Sequence, residues 1–193
     1  LVILLVSGTK ARAADDLFNV DIPTQPVTQP DYFVSFADQK RWDFELSATG
    51  LADVTNRHVA MGGTTAGVGY YILDNLAVTF DISGFEFSEG HSNGGAGGVT
   101  LGLRHHVLDV GPSSLYFTVS GGEMWASNNL PMRGSHLNNT FEGGVGLATP
   151  LAPDFYLMTE VKFFHLSNAN NHGGDRNPSI NAVQGVVGVM WRF

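Results

Sequence analysis

The chain has no cysteine, which excludes disulfides and thiol catalysis but does not by itself assign a compartment. It has no long charged run and no obvious internal repeat. Positive charge is scarce: 10 Lys and Arg against 18 Asp and Glu leave a formal net charge of -8. That balance disfavours nonspecific binding to nucleic acid or to an anionic surface. The apolar run at residues 1–6 is too short to cross a bilayer as a helix. Glycine and phenylalanine are abundant instead, at 24 and 13 residues. A length of 193 residues suits one domain with a substantial core.

The opening "LVILLVSGTKARAADD" reads as the end of a secretory signal, with cleavage expected after Ala13 or Ala14 and the basic start of the signal missing. Lys10 and Arg12 fit that reading poorly, and a ragged apolar N-terminus is the plainer alternative. Three prolines, Pro23, Pro26 and Pro30, fall in a stretch of weak periodicity. Residues 14–41 are therefore expected to form an N-terminal tail mostly outside the main domain, which spans 42–193.

From Trp42 onward the apolar residues recur with period two. "WDFELSA" sets Trp42, Phe44, Leu46 and Ala48 against Asp43, Glu45 and Ser47; "LAVTFDIS", "VTLGLRHHV" and "LYFTVS" alternate likewise. Weaker glycine-rich strands at 59–73 and 138–149, with further strands at 155–165 and 182–193, bring the count to eight. That pattern predicts an all-β, antiparallel up-and-down barrel. Short turns are expected at Asp74–Asn75, 109–114 and 151–154. Longer loops are expected near 52–57, 88–95, 127–139 and 167–180, the asymmetry of outer-membrane barrels.

A soluble, ligand-binding barrel would turn the apolar set inward, whereas a transmembrane barrel turns it towards lipid around a polar interior. The faces opposite the apolar set carry Asp43, Glu45, Asp81, Arg104, Glu142, Glu160, Lys162 and Arg192, charges of both signs that could neutralise one another inside. Either barrel accommodates them. The ending separates the two: Val183, Val187, Val189, Trp191 and Phe193 share one parity, and this resembles the C-terminal assembly signal of bacterial outer-membrane barrels. The expectation is a barrel embedded in the outer membrane.

Within "FFHLSNANN" (163–171), His165 and Ser167 share the parity of Val161 and Phe163. Eleven residues from Phe155 to His165 are about what a tilted strand needs to cross the hydrocarbon, which puts His165 at the outer interface, facing lipid. Asn181 has outward parity on the last strand, and antiparallel pairing can bring it beside His165. Serine, histidine and an orienting third group are the components of base-activated nucleophilic attack. Polar side chains cost only about 0–1 kcal/mol near an interface, so a pair of incidental rim residues has the same spacing.

"HLSNA" (165–169), followed by "RNPSIN" (176–181) and a terminal strand, resembles the PagL-type lipid A 3-O-deacylases, which are eight-stranded outer-membrane barrels. The specific resemblance is confined to residues from 165 onward; the remainder agrees in architecture. It implies hydrolysis of the ester that joins a 3-hydroxyacyl chain to the 3-position of lipid A, with lipopolysaccharide as substrate and no cofactor or metal. By motif it makes His165 the base and Ser167 the nucleophile, and associates Asn168 and Asn177 with the oxyanion site. Asn181 stands where the best-known members carry glutamate. An amide orients an imidazole, but stabilises imidazolium less than a carboxylate does. Asp175 is a second candidate for the acid, and Ser179 replaces a glycine common in that loop.

The other histidines, His91, His105, His106, His136 and His172, are scattered and read as interfacial or loop residues. "GGAGG" (94–98) lacks the lysine and the strand-to-helix setting of a phosphate loop and reads as a bent or close-packed strand. Two functional readings remain beside the hydrolase: a non-catalytic barrel with structural or adhesive loops, and a soluble binding barrel.

Overall fold

The computed structural model describes residues 36–55, 58–170 and 177–193. The predicted signal at 1–13, most of the tail and Asp175 lie outside them. Eight strands follow in order: β1 (Trp42–Asp53), β2 (Val59–Leu73), β3 (Leu76–Glu89), β4 (Ser92–Val110), β5 (Ser113–Leu130), β6 (Ser135–Ala152), β7 (Phe155–Ser167) and β8 (Ile180–Arg192). Each pairs antiparallel with the next, and β1 closes on β8. Closure leaves no unpaired sheet edge, which is what lets strands cross a bilayer.

One rim is made of two-residue turns, at residues 74–75, 111–112 and 153–154. Asn75, Gly111 and Asp154 adopt the left-handed backbone there, with φ of 64°, 61° and 55°. At the opposite rim, two of the expected loops are mostly strand. β3 runs to Glu89 and β4 starts at Ser92, so 88–95 holds a turn of only two residues. Likewise β5 continues to Leu130 and β6 begins at Ser135. Above the hydrocarbon the outward side chains no longer need to be apolar, so the alternation fades while the backbone ladder continues. β7 ends at Ser167 and β8 begins at Ile180, bounds that agree with the expected 167–180.

The pairing fixes the tilt. A row of register partners that starts at Asn181 and passes through His165, Phe141, Gly121, Leu101, Phe80, Val68 and Phe44 returns to β8 at Trp191, ten residues lower. In an eight-stranded barrel such stagger corresponds to strands inclined by about 40° to the axis.

The apolar set faces out. Phe44, Leu46, Phe80, Ile82, Leu101, Phe117, Val161 and Val187 are all exposed. Trp42, Tyr70, Trp191 and Phe193 form aromatic contacts at the two-residue-turn rim, where a membrane barrel has an aromatic girdle. The interior is filled by side chains in three layers rather than being polar throughout. In the middle, Arg104 bridges Asp43 at 2.5 Å and Glu45 at 2.6 Å. Beside it, Lys162 bridges Glu160 at 2.8 Å, and Tyr116 donates to Glu160 at 2.7 Å. Towards the upper rim lies an apolar plug of Leu51, Met61, Phe85, Phe87, Met124, Leu130, Phe164, Leu166 and Ile180. The lower layer contains Tyr71, Tyr116, Met158 and Met190. Eight strands enclose just enough width for side chains to meet. A packed lumen under an apolar exterior is the reverse of a soluble ligand-binding calyx.

Two residues sit where the sequence did not put them. His106, read as interfacial or loop, is 1% exposed inside the lower layer, with Nδ1 2.9 Å from Ser114 Oγ. Phe36, from the end of the expected tail, stacks on its ring at 3.7 Å. Phe36 and Ala37 are buried against the barrel and donate their backbone N–H groups to Asn75 Oδ1. An aromatic side chain with an apolar slot below it has a hydrophobic reason to dock that weak periodicity does not reveal.

Candidate active site

β7 and β8 place the site. Phe164, Leu166, Ile180 and Ala182 are fully buried in the upper plug. Alternation then turns the residues between them outward. His165 is the register partner of Asn181, and both are partly exposed. His165 Nδ1 lies 2.7 Å from Asn181 Oδ1, and His165 Nε2 lies 3.2 Å from Ser167 Oγ.

The bonds assign the proton. An amide oxygen only accepts, so Nδ1 carries the hydrogen and donates it to Asn181. The lone pair of Nε2 is then directed at the serine hydroxyl. Asn181, His165 and Ser167 thus form a continuous chain of hydrogen bonds on the outer wall, ending at a hydroxyl that can be deprotonated.

Beyond Ser167 the backbone turns sharply, with Ala169 at φ 52° and Asn170 at φ 64°. A left-handed alanine costs roughly 1–2 kcal/mol, so the surroundings must hold it there. Asn168 is buried, and its backbone N–H donates to Asn177 Oδ1 at 3.0 Å. Its own Oδ1 accepts from the Asn170 N–H at 3.2 Å. The two asparagines therefore tie together the two ends of the loop behind Ser167.

Neighbouring strands add residues that the motif does not include. On β6, Asn139 is the register partner of Ser167, and Phe141 that of His165. Both are exposed on the outer face. The signal for them was available in the parity they share with Val145, but the β6–β7 register was not. Among the described residues, no three His, Asp or Glu side chains are grouped as metal ligands.

Comparison with known proteins agrees with this architecture. The chain is similar to Neisserial surface protein A, with a TM-score of 0.55 at 12% identity over 79% of this chain and 94% of that one. It is also similar to the N-terminal β-barrel domain of Pseudomonas aeruginosa OprF, with a TM-score of 0.50 at 15% identity over 81% and 100%. These likenesses concern the fold. No curated protein matches the sequence. Residues 35–190 match the family described as lipid A 3-O-deacylase (PagL). With a closed, lipid-facing barrel of eight strands and a match over most of its length, the chain belongs to the PagL family of lipid A 3-O-deacylases of the bacterial outer membrane.

Proposed function

We propose that this protein removes the 3-linked hydroxyacyl chain of lipid A by serine ester hydrolysis, with Ser167 as nucleophile, His165 as general base and Asn181 as the group that orients the imidazole. The observation that carries the reading is the hydrogen-bond chain from Asn181 through His165 to Ser167 on the lipid-facing wall.

The upper rim, opposite the two-residue turns, faces the outside of the cell. Lipid A reaches the site laterally in the outer leaflet, its acyl chains along the apolar wall and its ester near the headgroup boundary. As Ser167 Oγ attacks the ester carbonyl, its proton passes to His165 Nε2, leaving an imidazolium held by Asn181. The tetrahedral oxyanion forms beside the loop tied by Asn168 and Asn177, which we assign to shaping its pocket. Collapse transfers the acyl group to Ser167, and the imidazolium protonates the departing 3-oxygen of the sugar. A water, deprotonated by His165, then releases the 3-hydroxy fatty acid.

The test is incubation of the purified protein with lipopolysaccharide, followed by mass spectrometry of the lipid A. The wild type should remove one hydroxyacyl chain, and Ser167→Ala and His165→Ala should remove none. A wild type that leaves the mass unchanged returns the protein to a non-catalytic barrel.

A further inference from the structure

We propose that Gly143 is the floor of the trough that seats the acyl chain being cleaved, and that its missing side chain is what admits the chain to Ser167. This rests on the deacylase reading above.

The argument starts from the tilt of the wall. Below the row that joins Phe141, His165 and Asn181 runs a second row, Val119, Gly143, Phe163 and Val183. Rows descend in the direction from β8 through β7 to β6, as the ten-residue stagger requires. With strands about 4.8 Å apart, a rise of about 3.3 Å per residue and a tilt of about 40°, one strand sideways and two residues along amounts to a drop of about 8 Å down the membrane normal. From His165 that drop ends on Gly143. From Ser167 it ends on Phe141, and from Asn181 on Phe163. A lipid chain that hangs down the normal beneath the imidazole therefore lies between two phenylalanine side chains, 51% and 46% exposed, with bare backbone under it.

The fold does not demand this glycine. A Cβ on Gly143 would meet only the Thr118 carbonyl oxygen, at 3.9 Å, which is ordinary contact. Its neighbours differ. On Gly144 a Cβ would overlap the Val161 carbonyl, and on Gly146 the Tyr116 ring. Those two are needed for packing, whereas Gly143 has room for a side chain and lacks one. Gly50, Gly84 and Gly185 likewise have open space, but they lie off the line below His165. Any larger residue at 143 would fill the gap between Phe141 and Phe163 and lift the chain off the wall, carrying its ester away from Ser167.

The experiment compares initial rates of lipid A deacylation, read by mass spectrometry, for the wild type, Gly143→Ala, Gly143→Leu and Gly84→Leu on the opposite wall. Folding of each is checked by the difference in gel mobility between unheated and heated samples. Gly143→Leu should be slower by about tenfold or more, Gly143→Ala intermediate, and Gly84→Leu within about twofold of the wild type. If Gly143→Leu fails to fold, Gly143→Ala decides: a several-fold slowing supports the trough, and an unchanged rate overturns it. An active wild type matched by a folded Gly143→Leu sinks the trough and leaves the deacylase standing. A wild type that cleaves nothing removes the reaction, and the trough with it.

Discussion

Asn181 Oδ1 accepts a hydrogen bond from His165 Nδ1 across the β7–β8 pair at 2.7 Å. This amide can fix the imidazole tautomer, but it brings no negative charge to the imidazolium that the proposed attack would form. The contact therefore predicts an enzyme whose orienting group is in place and whose electrostatic assistance is weak.

Asn181→Asp keeps the accepting oxygen and adds the missing charge. Deacylation should become faster by roughly tenfold or more, because removing such a charge from a related triad is severely damaging. Asn181→Ala should be slower than the wild type. Initial rates on lipopolysaccharide decide; a folded Asp variant slower than the wild type would show that the amide does more than orient.

Asn177→Ala removes the acceptor for the Asn168 N–H and unties the loop behind Ser167. One lost hydrogen bond is worth about 0.5–1.5 kcal/mol, so the barrel should stay folded. The rate should nevertheless fall by about tenfold or more, since misplacement near the reacting atoms costs far more than the bond itself. Unaltered turnover would assign Asn177 to loop structure alone.

Arg104→Ala leaves Asp43 and Glu45 facing each other in the packed lumen without their cation. Breaking a buried pair in this way costs about 3–5 kcal/mol. The temperature at which the folded band converts to the unfolded one on a gel should drop clearly. Arg104→Ala with wild-type heat resistance would mean that the middle layer does not depend on this charge.

Gly122→Ala and Gly185→Ala form a matched pair. A Cβ at 122 would overlap the Val99 carbonyl and the Thr100 Cα, whereas at 185 it meets nothing within 4 Å. The first variant should fail to refold into detergent and the second should refold as the wild type does. Equal refolding yields would contradict the close approach of β4 to β5.

The sequence by itself determined the parity of each strand: which residues face lipid, which face the lumen, and that His165, Ser167 and Asn181 share the outer side. This was legible because side chains alternate strictly along extended backbone, so a period of two survives without any tertiary information. Tertiary structure decided register. Parity allowed Asn181 to sit beside His165 but did not require it, and although it turned Asn139, Phe141 and Gly143 outward it did not place them next to His165 and Ser167. It also could not show that β3 and β4 continue through 88–95, or that Phe36 and His106 stack in the lower layer. Register depends on turn length and on the stagger with which all eight strands close, and closure is a property of the whole ring, visible in no single strand.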